Sequence, residues 1–198
     1  MNLEPVTLQG QHARLEPLRL DHAAALSEAV QDGELWRLWY TAIPTPAAMA
    51  SEVQRRLDLQ ASGSMLPFAV IHLPDERMAG MTTYMNIDSA NRRLEIGSTW
   101  YRKSLQRTAL NTECKRMLLG HAFEQLDCIA VEFRTHWHNS ASRRGIERLG
   151  AKLDGVLRSH QIAANGSLRD TCVYSILASE WPAVRASLDH ALSTPRRP

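Results

Sequence analysis

Glu95 stands inside the apolar run of RRLEIGSTWY, residues 92–101. Burial in such a strand raises a carboxyl pKa toward the range a general base needs. The plainer alternative is a carboxylate on a solvated face, or one paired with Arg93 or Arg134. Directly after it comes SLQRTALNTECKRMLLGHAFEQL, residues 104–126, a polar loop that turns into a helix. The loop carries Gln106, Arg107, Thr108 and Asn111 and no glycine, and Arg102, Lys103, Arg107, Lys115 and Arg116 crowd around it. Free N–H groups at a helix N-terminus and the positive end of its dipole suit an anion. A simple strand-to-helix turn is the competing reading.

Other reactive residue types are scattered. His136-Trp137-His138 places two imidazoles on one face of an extended segment, but no carboxylate or cysteine stands at a supporting spacing, so no metal is expected. Ser142 lacks a Gly-x-Ser-x-Gly context, which argues against a serine hydrolase. The three cysteines, Cys114, Cys128 and Cys172, are odd in number and form no CxxC, against a disulfide framework or a zinc ribbon. Cys114 and Cys128 lie in apolar patterns and read as buried thiols.

The elements that must position these residues follow from periodicity and punctuation. Residues 6–18 alternate as a strand or hairpin arm, and Asp21 is placed to cap a helix through HAAALSEAV. The aromatic-rich ELWRLWYTAIPTP follows, and Thr45-Pro46 opens a second helix that stops near Ser62-Gly63. PFAVIHL and MAGMTTYM read as strands joined by the turn PDER, and residues 92–101 as a third. In the next helix Leu110, Cys114, Met117, Leu118, Ala122 and Leu126 form a buried stripe. IAVEFRT is a strand, Asn139 starts a short helix that Gly150 ends, and Asn165-Gly166 turns a hairpin between KLDGVLRSHQI and RDTCVYSIL. A last helix, EWPAVRASLDHAL, leaves residues 193–198 as an expected frayed tail. The order is strand, two helices, three strands, helix, strand, helix, two strands, helix. Such an order makes a mostly antiparallel sheet, with one parallel pair where residues 94–135 cross over through a helix.

The chain of 198 residues, 44% hydrophobic and 22% charged, suits one domain over 1–198. A formal charge of +2 with no long basic stripe argues against a nucleic-acid partner. No apolar stretch reaches membrane-spanning length, and MNLEPVTLQG lacks the pattern of a signal peptide, so no membrane partner and a reduced, cytoplasmic setting are expected.

LEIGSTW, QRTALNTE, IAVEFRT, HNSASRRGIERLGA and RDTCVYSI, in this order and spacing, resemble the GCN5-related N-acetyltransferases of the RimJ/RimL type. The resemblance covers about residues 6–178. It implies an α/β (α+β) fold with a mixed, mostly antiparallel twisted sheet of about seven strands, flanked by helices. That sheet is splayed between its fourth and fifth strands, here 93–100 and 129–135. It also implies acetyl-CoA as co-substrate, no metal, and acetyl transfer to a primary amine by direct attack. The pantetheine arm would lie in the splay. The pyrophosphate would rest on the loop Gln106-Arg107-Thr108-Ala109-Leu110-Asn111, where Ala109 replaces the family's usual glycine and Asn111 its second small residue.

The resemblance places an oxyanion-binding backbone N–H around Ser98, Thr99 and Trp100, and a glutamate base acting through water at Glu95. The family's tyrosine acid, seven residues after Asn139, is absent because Ile146 stands there. Ser142 falls on the serine of the family's Asn-x-x-Ser pattern, and Tyr174 is a second candidate. Their plain readings are a first-turn helix residue and a core residue with a bonded hydroxyl. Asn139 caps its helix and, by resemblance, also meets pantetheine or substrate. Arg143 and Arg144 could meet a CoA phosphate or stay solvated. Trp36, Trp39 and Tyr40 either wall the acceptor side or plug two helices together, and Glu34, Tyr84 and Glu95 are candidate ammonium partners. The acceptor is a protein N-terminus or a small-molecule amine, and relatives are often homodimers. The alternative is a non-catalytic acyl-CoA-binding module on the same fold.

Overall fold

The structure is a computed structural model that describes residue 1 and residues 3–194. Its strands are β1 (Leu8–Gln9), β2 (Ala13–Pro17), β3 (Met65–His72), β4 (Arg77–Asp88), β5 (Arg93–Tyr101), β6 (Ala130–His136), β7 (Lys152–Ile162) and β8 (Leu168–Leu177). The helices are α1 (Ala23–Gln31), α2 (Met49–Ala61), α3 (Leu110–Gly120), α4 (Ser140–Arg148) and α5 (Trp181–Ser193). All eight strands form one sheet in the order β1-β2-β3-β4-β5-β6-β8-β7. Every neighbouring pair is antiparallel except β5 and β6.

The expected element order is present with small differences. An eighth strand arises because residues 6–18 fold back on themselves, Leu8 pairing Leu15. The splay therefore falls between the fifth and sixth strands. Asp21 does not cap α1: it lies inside a 3-10 turn, Leu20–His22, and its carboxylate receives Arg19 Nε at 3.1 Å. Thr45 accepts the Ala48 N–H with Pro46 in the first turn, and Asn139 accepts the Ser142 N–H, as those local signals require. Gly150 and Gly166 take positive φ at the end of α4 and in the β7–β8 turn. Ser193 closes α5, and residues 195–198 of the expected tail lie outside the described residues.

Two cores sandwich the sheet. One face carries Leu15, Phe68, Tyr84, Leu94, Ile96, Val131 and Phe133 against Leu110, Cys114, Leu118 and Leu119 of α3. The other carries Ala69, Met81 and Trp100 against Leu26 and Val30 of α1 and Met49 and Val53 of α2. The Glu113 carboxylate fixes the start of α3 to the β1–β2 turn. It accepts the backbone N–H groups of Gln11, His12 and Ala13 at 2.9, 2.7 and 2.8 Å. Gly10 is required there, since a Cβ would stand 2.4 Å from the Glu113 carboxyl carbon.

Cys114 and Cys128 are buried free thiols, pushed up by burial to about 12 and about 11, so neither offers a thiolate at neutral pH. Lys115 is buried next to Cys114, donating to Thr99 Oγ1 at 3.1 Å, and burial lowers its pKa to about 8. The unfolded chain therefore binds more protons than the fold between pH 8 and the ordinary lysine value of 10.5, so this group's cost falls as pH rises through that window. Lys115→Met is expected to be more stable than wild type at pH 7, by roughly 2–3 kcal/mol. That advantage should shrink toward pH 10 in chemical denaturation. A pH-independent gap would refute the buried ammonium.

Candidate functional site

Strands β5 and β6 pair only at Arg93–Ala130, Leu94–Val131 and Glu95–Glu132. Beyond Glu95 the two strands part, leaving a V whose walls are Ile96–Tyr101 and Phe133–His136. Because the pair is parallel, both strands end at the mouth of the V, and both lead into helix N-termini, α3 and α4. Arg148 of α4 donates to Thr112 Oγ1 of α3 at 3.2 Å, which ties the two helices together.

Glu95 marks the apex. It is buried, its Oε2 accepts Asn86 Nδ2 at 2.7 Å, and Arg134 Nε lies 3.6 Å away. Burial dominates and raises its pKa; Asn86 and Arg134 only moderate the rise. Arg93 pairs instead with Glu132 at 2.8 Å. Both readings of Glu95 find support: the carboxylate is buried, as a base in an apolar strand requires, and it also pairs with Arg134, as the plainer alternative expects. Gly97 leaves it room, since a Cβ would sit 2.8 Å from Glu95 Oε1.

Two residues further on the strand bulges. Gly97 opposes Thr83 and Trp100 opposes Met81, so β5 spends one extra residue, and Ser98 takes φ +48. The bulge turns backbone groups of Ser98 and Thr99 out of regular pairing, just before Trp100 rejoins it. Gly80 accommodates it, because a Cβ there would lie 2.0 Å from the Trp100 carbonyl oxygen. Buried Arg56 of α2 grips the bulge. Its Nη1 donates to Thr83 Oγ1 at 2.8 Å and to the Ser98 carbonyl at 3.2 Å, Nη2 reaches the same carbonyl at 3.3 Å, and Nε donates to Glu52 at 2.7 Å. The local sequence hides this clamp, since Glu52 and Arg56 at helical spacing carry the signature of a solvated pair. A pocket of about 540 Å³ opens beside it, lined by Ile43, Pro44, Glu52, Arg55, Arg56 and Ser98.

At the mouth, the loop before α3 is built without glycine because the left-handed residue is Arg107, φ +63. Ala109 has φ −67, a conformation any residue adopts, so alanine there costs the backbone nothing. Thr108 Oγ1 donates to the Leu105 carbonyl at 2.7 Å and accepts the Leu110 N–H at 3.3 Å. Gln106 is exposed and donates to the Tyr101 carbonyl at 3.3 Å; Leu110 is buried, and Asn111 is half-buried in the first turn. The basic crowd divides. Arg102 is held by the Met78 carbonyl and Glu28, Lys115 is buried, and Arg116 pairs with Asp189. Lys103 and Arg107 stay exposed beside the loop.

Across the V, Asn139 Oδ1 accepts the Ser142 N–H at 3.1 Å, and both residues are half-buried. Arg143 lies over the Trp137 ring at 4.2 Å and donates to Tyr174 at 3.2 Å. The Tyr174 hydroxyl is itself spent, donating to Glu147 at 2.8 Å, and the side chain is buried: the core reading describes its place. Tyr84 departs further from its expected place. It is fully buried on the α3 face and donates to the Leu118 carbonyl at 2.6 Å, away from the acceptor side. Glu34 is exposed and paired with Arg37 at 3.0 Å. The aromatic segment divides too: Trp36 packs on the α1/α2 core, and Trp39 is 53% exposed, with Tyr40 and the rings of His136 and His138 within 5.7 Å. Among the described residues no group of three or more His, Cys, Asp or Glu could hold a metal, and no helix is long and apolar enough to cross a membrane.

The arrangement joins an anion-suited loop, two parallel strands that part, a displaced backbone at a bulge and a buried carboxylate. Comparisons with known proteins give the family and the fold. The acetyltransferase (GNAT) domain model matches residues 12–152. A Bacillus subtilis protein named as a ribosomal N-acetyltransferase, YdaF, is 34% identical over 109 residues, a match covering 55% of this chain and 58% of that relative's length. The crystal structure of a GCN5-related N-acetyltransferase from Brucella melitensis superposes with a TM-score of 0.86 at 31% identity, over 96% of this chain and 87% of that one. Mycobacterium smegmatis RimJ shares the fold at a TM-score of 0.80 and 23% identity, over 94% and 95% of the two chains.

Proposed function

We propose, for a chain that belongs to the acetyltransferase (GNAT) domain family, that it moves an acetyl group from acetyl-CoA to a primary amine by direct attack in a ternary complex. The observation that carries this reading is the parting of β5 and β6 at Glu95, with a basic helix-opening loop at the mouth of the V. The favoured acceptor is a protein N-terminal α-amine; the name of the Bacillus subtilis relative, a ribosomal N-acetyltransferase, supports a protein acceptor. A cytoplasmic setting goes with it.

The geometry supports the following roles. The loop 106–111 presents backbone N–H groups and the dipole of α3 to the diphosphate, with Lys103 and Arg107 adding charge. Acetyl-CoA supplies the acyl group as an activated thioester. Backbone N–H groups at the Ser98–Trp100 bulge stabilise the charge that develops on its carbonyl oxygen, and Arg56 keeps that backbone displaced. An ammonium has no lone pair, so Glu95 takes the proton that leaves the attacking amine neutral, directly or through water. Its raised pKa lets it hold that proton. Asn139, Ser142 and Arg143 close the other wall of the V against the pantetheine arm. Much of the rate comes from holding amine and thioester together.

The test is release of CoA when the protein is given acetyl-CoA and a panel of N-terminal peptides and small amines. Turnover of at least one amine supports the enzyme. Saturable acetyl-CoA binding with no turnover of any would favour the acyl-CoA-binding module.

A further inference from the structure

His136 closes β6 on the sheet face that also carries Glu95 and Arg134, and it is 3% exposed. Its Nδ1 accepts the backbone N–H of His138 at 3.0 Å. A neutral imidazole nitrogen that accepts a hydrogen bond carries no proton, so the ring proton sits on Nε2. Nε2 is buried and has no hydrogen-bond partner among the described residues. Native folds seldom leave a buried donor in that state without a reason. The Trp39 ring stands 5.2 Å away, T-shaped, and offers at most a π face. Protonating the ring would set a second N–H against that of His138. Burial also lowers the pKa, with Arg169 and His138 adding to it and Asp170 opposing. The imidazole is therefore a fixed neutral donor.

Its place gives the donor a use. Glu132 is level with Glu95, and His136 lies four residues further, about 13 Å along the strand. That puts it across the V from the Ser98–Trp100 bulge, on the acceptor side. We propose that His136 Nε2–H donates to the carbonyl oxygen adjacent to the acceptor's amine, with Trp39 as a cover that moves aside when the acceptor enters. His136 thereby selects α-amino amides, the chemistry of a peptide N-terminus, over amines without a neighbouring carbonyl. The inference rests on the acetyl-transfer reading for its role in turnover, not for its binding contact.

The experiment uses alanyl-alaninamide and n-propylamine as probes on the full chain, with His136→Phe, which keeps ring volume without the donor, and His136→Gln, which restores one. Alanyl-alaninamide should move the ring Hε2 and Nε2 resonances of His136 downfield. His136→Phe should raise KM for alanyl-alaninamide about tenfold with kcat little changed. His136→Gln should recover most of that loss, while KM for n-propylamine and acetyl-CoA affinity stay as in wild type. A KM that rises equally for both amines, or a peptide amide that fails to bind or saturates without moving the His136 signals, overturns the inference. If the resonances move but no amine of the wider panel releases CoA, the contact stands and the acetyl-transfer reading falls.

Discussion

Glu95→Gln is expected to lower kcat about a hundredfold or more while leaving acetyl-CoA affinity nearly unchanged. The carboxylate sits at the apex of the V, buried and singly bonded to Asn86. An amide of the same shape keeps the packing and the Asn86 contact but cannot take the proton. The same substitution is expected to raise the melting temperature at pH 7, the reverse of an ordinary damaging variant. Burial raises the folded pKa above that of the unfolded chain. The stability linked to this group is therefore present below the unfolded pKa and lost as pH rises through the folded one. At pH 7 wild type carries that cost and the glutamine variant does not. The wild-type rate should also fall on the acid side at a pH above the usual carboxylate range. Full activity in the variant would remove Glu95 from the proton path, and a lowered melting temperature would refute the account of its burial.

Arg56→Ala should combine lost stability with lost turnover. Removing the guanidinium leaves the Ser98 carbonyl and the Thr83 hydroxyl without their buried partner. Breaking such a buried pair costs about 3 kcal/mol. It also frees the bulge that aims the Ser98–Trp100 backbone, so kcat should drop at least about tenfold, more than acetyl-CoA affinity does. Arg56→Lys, which has a single point charge in place of the fork, should recover stability better than rate. Calorimetry and steady-state kinetics separate the two effects. A destabilised variant with unchanged kcat would make Arg56 a packing residue only.

Local signals carried most of the fold into the sequence. Thr45-Pro46, Asn139 with Gly150, and Asn165-Gly166 work through contacts within a few residues, and each stands where its chemistry requires. The motifs that carry the family resemblance likewise located the strands that part at Glu95. The misses are long-range. Arg56 and Ser98 are 42 residues apart, and nothing near Arg56 distinguishes a clamp from a solvated helix charge. Tyr84 read as an ammonium partner because its strand face depends on a register that only the neighbouring strands fix. The basic crowd around residues 102–116 read as one patch, yet Arg102, Lys115 and Arg116 are drawn away by Glu28, the core and Asp189. The glycine missing at Ala109 read as a departure, since sequence does not show that Arg107 carries the left-handed turn.

Calorimetric titration with acetyl-CoA, at low and moderate salt, tests the donor site most directly. One-site saturable binding, weakened about tenfold or more by Arg107→Glu and less affected at moderate salt, is the expected result. No binding to the wild-type protein at millimolar acetyl-CoA, or an affinity indifferent to charge reversal at Arg107, would contradict the placement of the diphosphate on the loop before α3.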